Sequence, residues 1–284
     1  MRAALIVNDR AGSMAGLVEP RAALLSALRS GGFTLRDTLR EGMTLDDQWA
    51  HAEGCNAEVV FVAGGDGTLR DAAARLVDDH RAFAPLPGGT MNRVCTRLGL
   101  AADPVAAARM YRPGPVSALR IGTANGEVFL YQSIVGAPSR LMRFREMQRG
   151  AGVRGWAPVL YAALRGLARP ATRRLAIRMG GHKPARGHAA VITLPGLGEP
   201  AVLTLDLARP NGFVARLRQA IRWFGGGLGR DAEVESLSGG RIMVHGRTPW
   251  LRLSLDGEMR LIPGPIRFRL HPGVLRLLPA PGVQ

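Results

Sequence analysis

Residues 59–63, Val-Val-Phe-Val-Ala, are wholly apolar and rich in β-branched side chains, and they stop abruptly at Gly64-Gly65-Asp66-Gly67-Thr68. A short apolar run bounded by glycines reads as a strand buried on both faces. The helical pattern that follows, residues 69–76, makes it the first half of a strand-turn-helix unit. That unit recurs. Residues 3–7 lead through the loop Asn8-Asp9-Arg10-Ala11-Gly12-Ser13 to Leu17, Leu24, Leu25 and Leu28 at helical spacing, and residues 83–87 lead through Gly88-Gly89-Thr90 to a helix over 91–98. Strands alternating with helices at this interval predict a parallel sheet covered by helices.

Beyond about residue 118 the texture changes. Residues 128–134, 174–179, 189–194, 202–207, 251–255 and 266–270 alternate between apolar and polar, which predicts antiparallel strands. Helical stretches are expected at 159–167 and 213–224. The chain therefore divides into an α/β domain over 1–118 and a β-rich domain over 119–270, with the last segment, about 271–284, placed to return to the first.

Composition narrows the function classes. With 284 residues, 46% of them hydrophobic, the chain can bury a substantial core. The opening residues meet Asp9 too soon for a secretory signal, and no apolar stretch is long enough to span a bilayer. Cys55 and Cys95 cannot form a disulfide framework, no Cys/His cluster has zinc spacing, and the six histidines are scattered. The net charge is +16, and Lys183 is the sole lysine among 38 basic residues. Either a polyanionic partner or a GC-rich genome that favours arginine accounts for that balance. Arginines at 140, 143, 145, 149, 154, 165, 169, 173 and 174 crowd one third of the chain, and those at 216, 218 and 222 accompany Phe213, Trp223 and Phe224 in a segment that reads as an interfacial helix or a solvated one.

The glycine-rich turn after residue 63 carries the chemistry. In an open α/β sheet, ligands bind at the carboxyl ends of strands. Glycines there let backbone N–H groups approach phosphate oxygens, and the following helix N-terminus favours an anion. Asp66 is placed to hold a nucleotide-bound metal or to orient phosphates through water. A plain tight turn would use the same glycines. There is no GxxxxGK[ST] P-loop and no protein-kinase signature set.

Taken in order, Gly64-Gly65-Asp66-Gly67-Thr68, then Pro87-Gly88-Gly89-Thr90-Met91-Asn92, then Asp256-Gly257-Glu258 near the C-terminus resemble the diacylglycerol kinase catalytic-domain family. The loop Asn8-Asp9-Arg10-Ala11-Gly12 is similar to that family's N-P-x-S-G loop with Asp9 in place of proline, and Thr38 matches its threonine after the second strand. This resemblance implies an NAD kinase-like α/β domain followed by a β-sandwich-like domain. It implies ATP and Mg²⁺ as cofactors, with nucleotide contacts at Asn8, Arg10, Gly12, Thr38, Gly64, Gly65, Asp66, Gly67, Thr68, Leu69, Arg70 and Thr90, and Asn92 in support. Glu258 inherits the catalytic carboxylate, with Asp66 and Asp256 as the other candidates, and Glu199 is the residue left at the family's metal loop.

On the residues alone, Asp256-Gly257 is equally a type I′ hairpin signal. Arg70-Asp71 departs from the family's Asn-Glu. The implied partner is a lipid substrate at an anionic membrane surface, reached reversibly from the cytoplasmic side of the inner membrane, with no nucleic acid. Rival readings are a soluble NAD kinase, which shares the first motif, and a non-catalytic membrane-binding relic.

Overall fold

A computed structural model describes residues 1–12, 14, 18–35, 42–136, 175–196, 199–210, 212, 214–215, 218–219, 231 and 233–280. Thr38, the arginines between 140 and 174, the helix expected at 159–167 and most of that expected at 213–224 lie outside them. The chain forms two compact units, one of residues 1–121, 196–199 and 271–284, the other of residues 122–195 and 200–270.

The first unit contains β1 (Arg2–Val7), α1 (Pro20–Ser30), β2 (Thr34–Leu35), α2 (Leu45–Gly54), β3 (Val59–Gly64), α3 (Asp66–Leu76), β4 (Ala82–Pro87), α4 (Arg93–Arg97) and α5 (Pro104–Met110), followed by the start of β5 (Ser117–Ala124). Its strands pair in parallel in the order β2-β1-β3-β4, and Val7 lies opposite Ala63 where both strands open into loops. Every residue of β3 and β4 is buried, which explains their unbroken apolar runs. Helix starts follow local chemistry. Thr44 accepts the Asp47 N–H to begin α2, Asp103 accepts the Ala106 N–H to begin α5, and proline occupies the first turn of α1 and α5. Phe61 stacks edge-on against Phe33 and Tyr111, with ring centroids 4.9 and 5.2 Å apart.

The second unit holds β6 (Glu127–Phe129), β7 (Gln132–Gly136), β8 (Leu175–Met179), β9 (Ala185–Gly187), β10 (Ala189–Thr193), β11 (Leu203–Ala208), β12 (Val234–Gly239), β13 (Arg241–His245), β14 (Trp250–Leu255), β15 (Glu258–Pro263) and the beginning of β16 (Ile266–Leu277). Six strands form one antiparallel sheet, β12-β11-β10-β7-β14-β15. A second antiparallel set runs β16-β13-β8-β9, and β6 pairs with β5. Inward side chains of both sheets, among them Ile177, Ile192, Leu205, Val244, Leu253 and Phe268, share one apolar cluster, as a sandwich requires.

Two sequence expectations are corrected. Residues 128–134 are not one strand: the break falls at Leu130-Tyr131, whose N–H groups leave the ladder for the Asp256 carboxylate. The last strand runs on to Leu277, where it pairs in parallel with Phe83 of the first unit's β4.

Charge also ties the first unit together. Asp79 accepts side-chain hydrogen bonds from Arg81 at 2.6 to 3.1 Å, and Arg81 also reaches the Ala52 carbonyl. The Arg81 guanidinium holds the Asp79 carboxyl below its ordinary range. A carboxylate depressed in the folded state contributes stability above its unfolded pKa, about 3.9, and loses it as pH falls through the folded value. Thermal unfolding followed against pH is therefore expected to show the midpoint dropping below about pH 4. Asp79→Asn should cost about 1–2 kcal/mol at neutral pH and flatten part of that acid limb. An unaltered acid limb in the variant contradicts this assignment.

Candidate active site

Three loops of the first unit converge at the carboxyl ends of β1, β3 and β4. Asn8, just past β1, donates its side-chain N–H to Thr68 Oγ1 at 2.8 Å, joining the first loop to the second. Gly12 lies against Thr90, since a Cβ there would stand 2.9 Å from Thr90 Oγ1. Between the second and third loops the backbones themselves touch. A Cβ on Gly89 would sit 2.6 Å from the Gly65 Cα, and one on Gly88 would sit 2.8 Å from the Gly64 Cα. These glycines thus serve close packing of one loop on another as well as a tight turn.

Asp66 has a duty that its motif does not disclose. Its Oδ1 accepts the Val94 N–H at 3.0 Å, so the first residue of α3 caps the start of α4. Nearby, Asn92 adopts a left-handed conformation, φ 47°, and its side-chain oxygen accepts the Gly89 N–H at 2.7 Å. Asparagine tolerates that region better than most residues, which suits it to the turn. Burial pushes the Asp66 carboxyl above its ordinary value, against the opposing pull of the Val94 and Arg93 N–H groups. Burial likewise raises the neighbouring Cys95 thiol, so it is an inert core thiol rather than a nucleophile.

The N-terminus of α3 is capped by no side chain. Gly65 precedes it in an extended conformation, and Asp66, Gly67 and Thr68 form its first turn. Such a terminus presents donors and the positive end of the helix dipole to an anion. Gly12, Thr90 and Arg10 are exposed. Leu69 is fully buried beneath the turn, a packing residue rather than a ligand contact. Arg70 is buried too, with its guanidinium 2.8 Å from the exposed Asp71 carboxylate.

In the second unit, Asp256 and Gly257 both take positive φ, 49° and 100°, in the turn joining β14 to β15. The Asp256 carboxylate is buried and accepts the N–H groups of Leu130, Tyr131 and Gln132 at 2.6, 2.7 and 3.0 Å. Its own N–H donates to the Gln132 carbonyl. Asp256 therefore clamps the hairpin tip to the β6–β7 connection, with its oxygens committed to the backbone. Glu258 opens β15, 43% exposed at its side chain, with Arg260 Nη2 3.4 Å away. Glu199 accepts the Gly196 N–H, and among the described residues no group of three or more His, Cys, Asp or Glu gathers to hold a metal.

The three loops of the first unit fall within a stretch that resembles known proteins. Residues 2–124 match the diacylglycerol kinase catalytic domain. A Pseudomonas fluorescens protein named "Probable lipid kinase YegS-like" is 28% identical over 244 residues, 77% of this chain and 76% of its own length. A diacylglycerol kinase structure from Bacillus anthracis superposes with a TM-score of 0.67 at 18% identity, covering 100% of this chain and 98% of that one. Another structure from the same organism gives 0.71 at 19%, with the same coverage. At those identities the two structures speak for the fold.

If Asp66 holds α4 in place, Asp66→Ala should lower stability by about 1–2 kcal/mol, the usual worth of a lost cap. Thermal or urea unfolding measures this directly. An unchanged midpoint would show that the capping bond contributes nothing.

Proposed function

We propose that the protein is an ATP-dependent lipid kinase that moves the γ-phosphoryl group of ATP to a lipid hydroxyl. The observation that carries the nucleotide half of this reading is the uncapped N-terminus of α3, set beside Asn8, Gly12 and Thr90 by loops in backbone contact. Phosphoryl transfer asks a protein mainly for positioning and charge neutralisation. The amides of Gly67 and Thr68 bind phosphate oxygens, and Asn8 and Thr90 border them. Mg²⁺ bound to the ATP would supply neutralising charge at its phosphates. Asp66 acts here by holding α4 and the third loop against α3, since its Oδ1 is already engaged.

The acceptor half rests on the family and on Glu258. In this reading the lipid oxygen attacks the γ-phosphorus, the bond to the β-phosphate oxygen breaks to release ADP, and the hydroxyl proton passes to Glu258. Partial exposure leaves that carboxylate accessible. The acceptor class is a hydroxylated lipid of the diacylglycerol or sphingoid kind. No helix among the described residues is long and apolar enough to cross a membrane. The location proposed for such a lipid kinase is cytoplasmic and peripheral at the inner membrane.

Incubation with labelled ATP, Mg²⁺ and a panel of lipids, followed by chromatographic separation, should yield a phosphorylated lipid and ADP. Absence of transfer to every lipid, with the protein folded and ATP bound, would favour the relic reading. Glu258→Gln should lower kcat by about 10²- to 10⁴-fold, the range for a general base, while ATP affinity stays near wild type. Near-wild-type kcat in that variant removes Glu258 from the chemistry.

A further inference from the structure

The second unit carries an exposed basic face. In the set β16-β13-β8-β9, Ile177, Met179, Ile242, Val244, Ile266 and Phe268 point into the apolar cluster. Alternation sends their neighbours to the opposite face. Those neighbours are Arg178, Arg186, Arg241, Arg267 and Arg269, together with Ala176, Met243 and His245. All five arginines are exposed. No aspartate or glutamate occupies an outward position of these strands, and none of the five side chains makes a hydrogen bond or ion pair among the described residues.

Register sharpens the point. Arg241 lies directly opposite Arg269, and Arg178 and Arg267 flank Met243 from the two neighbouring strands. Like charges placed directly opposite destabilise a sheet. An anionic surface laid over the face would relieve that repulsion. With strands about 4.8 Å apart, the four-stranded set spreads its guanidinium groups over roughly 15 Å, an area suited to several headgroups at once.

We propose that this face is the surface by which the protein docks on anionic phospholipid bilayers. A membrane suits it better than a single nucleic-acid strand, because the outward positions include no Phe, Tyr or Trp on which a base could stack and His245 is the one ring among them. The contact is electrostatic, since each arginine near an anionic bilayer strengthens binding by about fivefold. It stands apart from the kinase reading, because docking can be measured with no phosphoryl transfer.

The test is sedimentation of the full chain with phosphatidylglycerol/phosphatidylcholine vesicles, compared with pure phosphatidylcholine vesicles and with duplex DNA. The wild type should bind the anionic vesicles only, and lose them as salt rises from 0.1 M to 1 M and the Debye length contracts from about 10 to 3 Å. A variant with Arg178, Arg241, Arg267 and Arg269 all changed to Gln should bind more than about a hundredfold more weakly. Its unfolding midpoint should not fall, because like-charge repulsion has been removed. Trp250→Ala, which trims an exposed aromatic on the other sheet, should bind as wild type. Undiminished binding by the folded four-arginine variant overturns the proposal. So does loss of binding in Trp250→Ala alone, or association with DNA and not with vesicles.

Discussion

Backbone contact between the second and third loops is the constraint on which the candidate nucleotide site depends. A Cβ on Gly89 would stand 2.6 Å from the Gly65 Cα, and one on Gly88 would stand 2.8 Å from the Gly64 Cα. Only glycine at those positions lets β3 and β4 end side by side and open into loops that touch. From that contact follow the reach of Asp66 to the Val94 N–H and the placing of Thr90 beside Gly12. The buried parallel strands beneath supply rigidity, so the loops borrow their order from a core that their own residues do not form.

A comparable economy appears in the second unit. One buried carboxylate, Asp256, accepts three consecutive N–H groups and fixes a hairpin whose next strand begins with Glu258. Leaving those amides buried and unpaired would cost more than the bonds themselves contribute, so the clamp is a condition of the turn's shape. Asp256 and Glu258, two residues apart, thus have separate physical roles: one carboxylate satisfies backbone and the other is half-exposed.

Much of this was legible in the sequence where a single local signal sufficed. Uninterrupted apolar runs announced β1, β3 and β4, the glycine turns announced the loops, and alternation after residue 118 announced antiparallel strands. Both positive φ angles at Asp256-Gly257 match the type I′ hairpin signal. What escaped notice lies in long-range pairing. The Asp66 bond to Val94 spans 28 residues, and the Asp256 bonds to the β6–β7 connection span 124 to 126, with no local pattern to mark either. Strands β12 and β13 were also missed. The first is largely exposed, and the alternation of the second is short and starts from an arginine. The basic face needed registers as well as residues, because its arginines come from four strands scattered between 178 and 269.

The most direct test of the account is backbone amide NMR during titration with Mg²⁺-ATP. The N-terminal turn of α3, Gly67 and Thr68 above all, should show the largest shift changes, with Asn8, Gly12 and Thr90 next. Saturable shifts confined to those loops are the predicted result. Saturable shifts elsewhere that leave Gly67 and Thr68 unmoved would contradict the assignment of the three loops as the phosphate cradle.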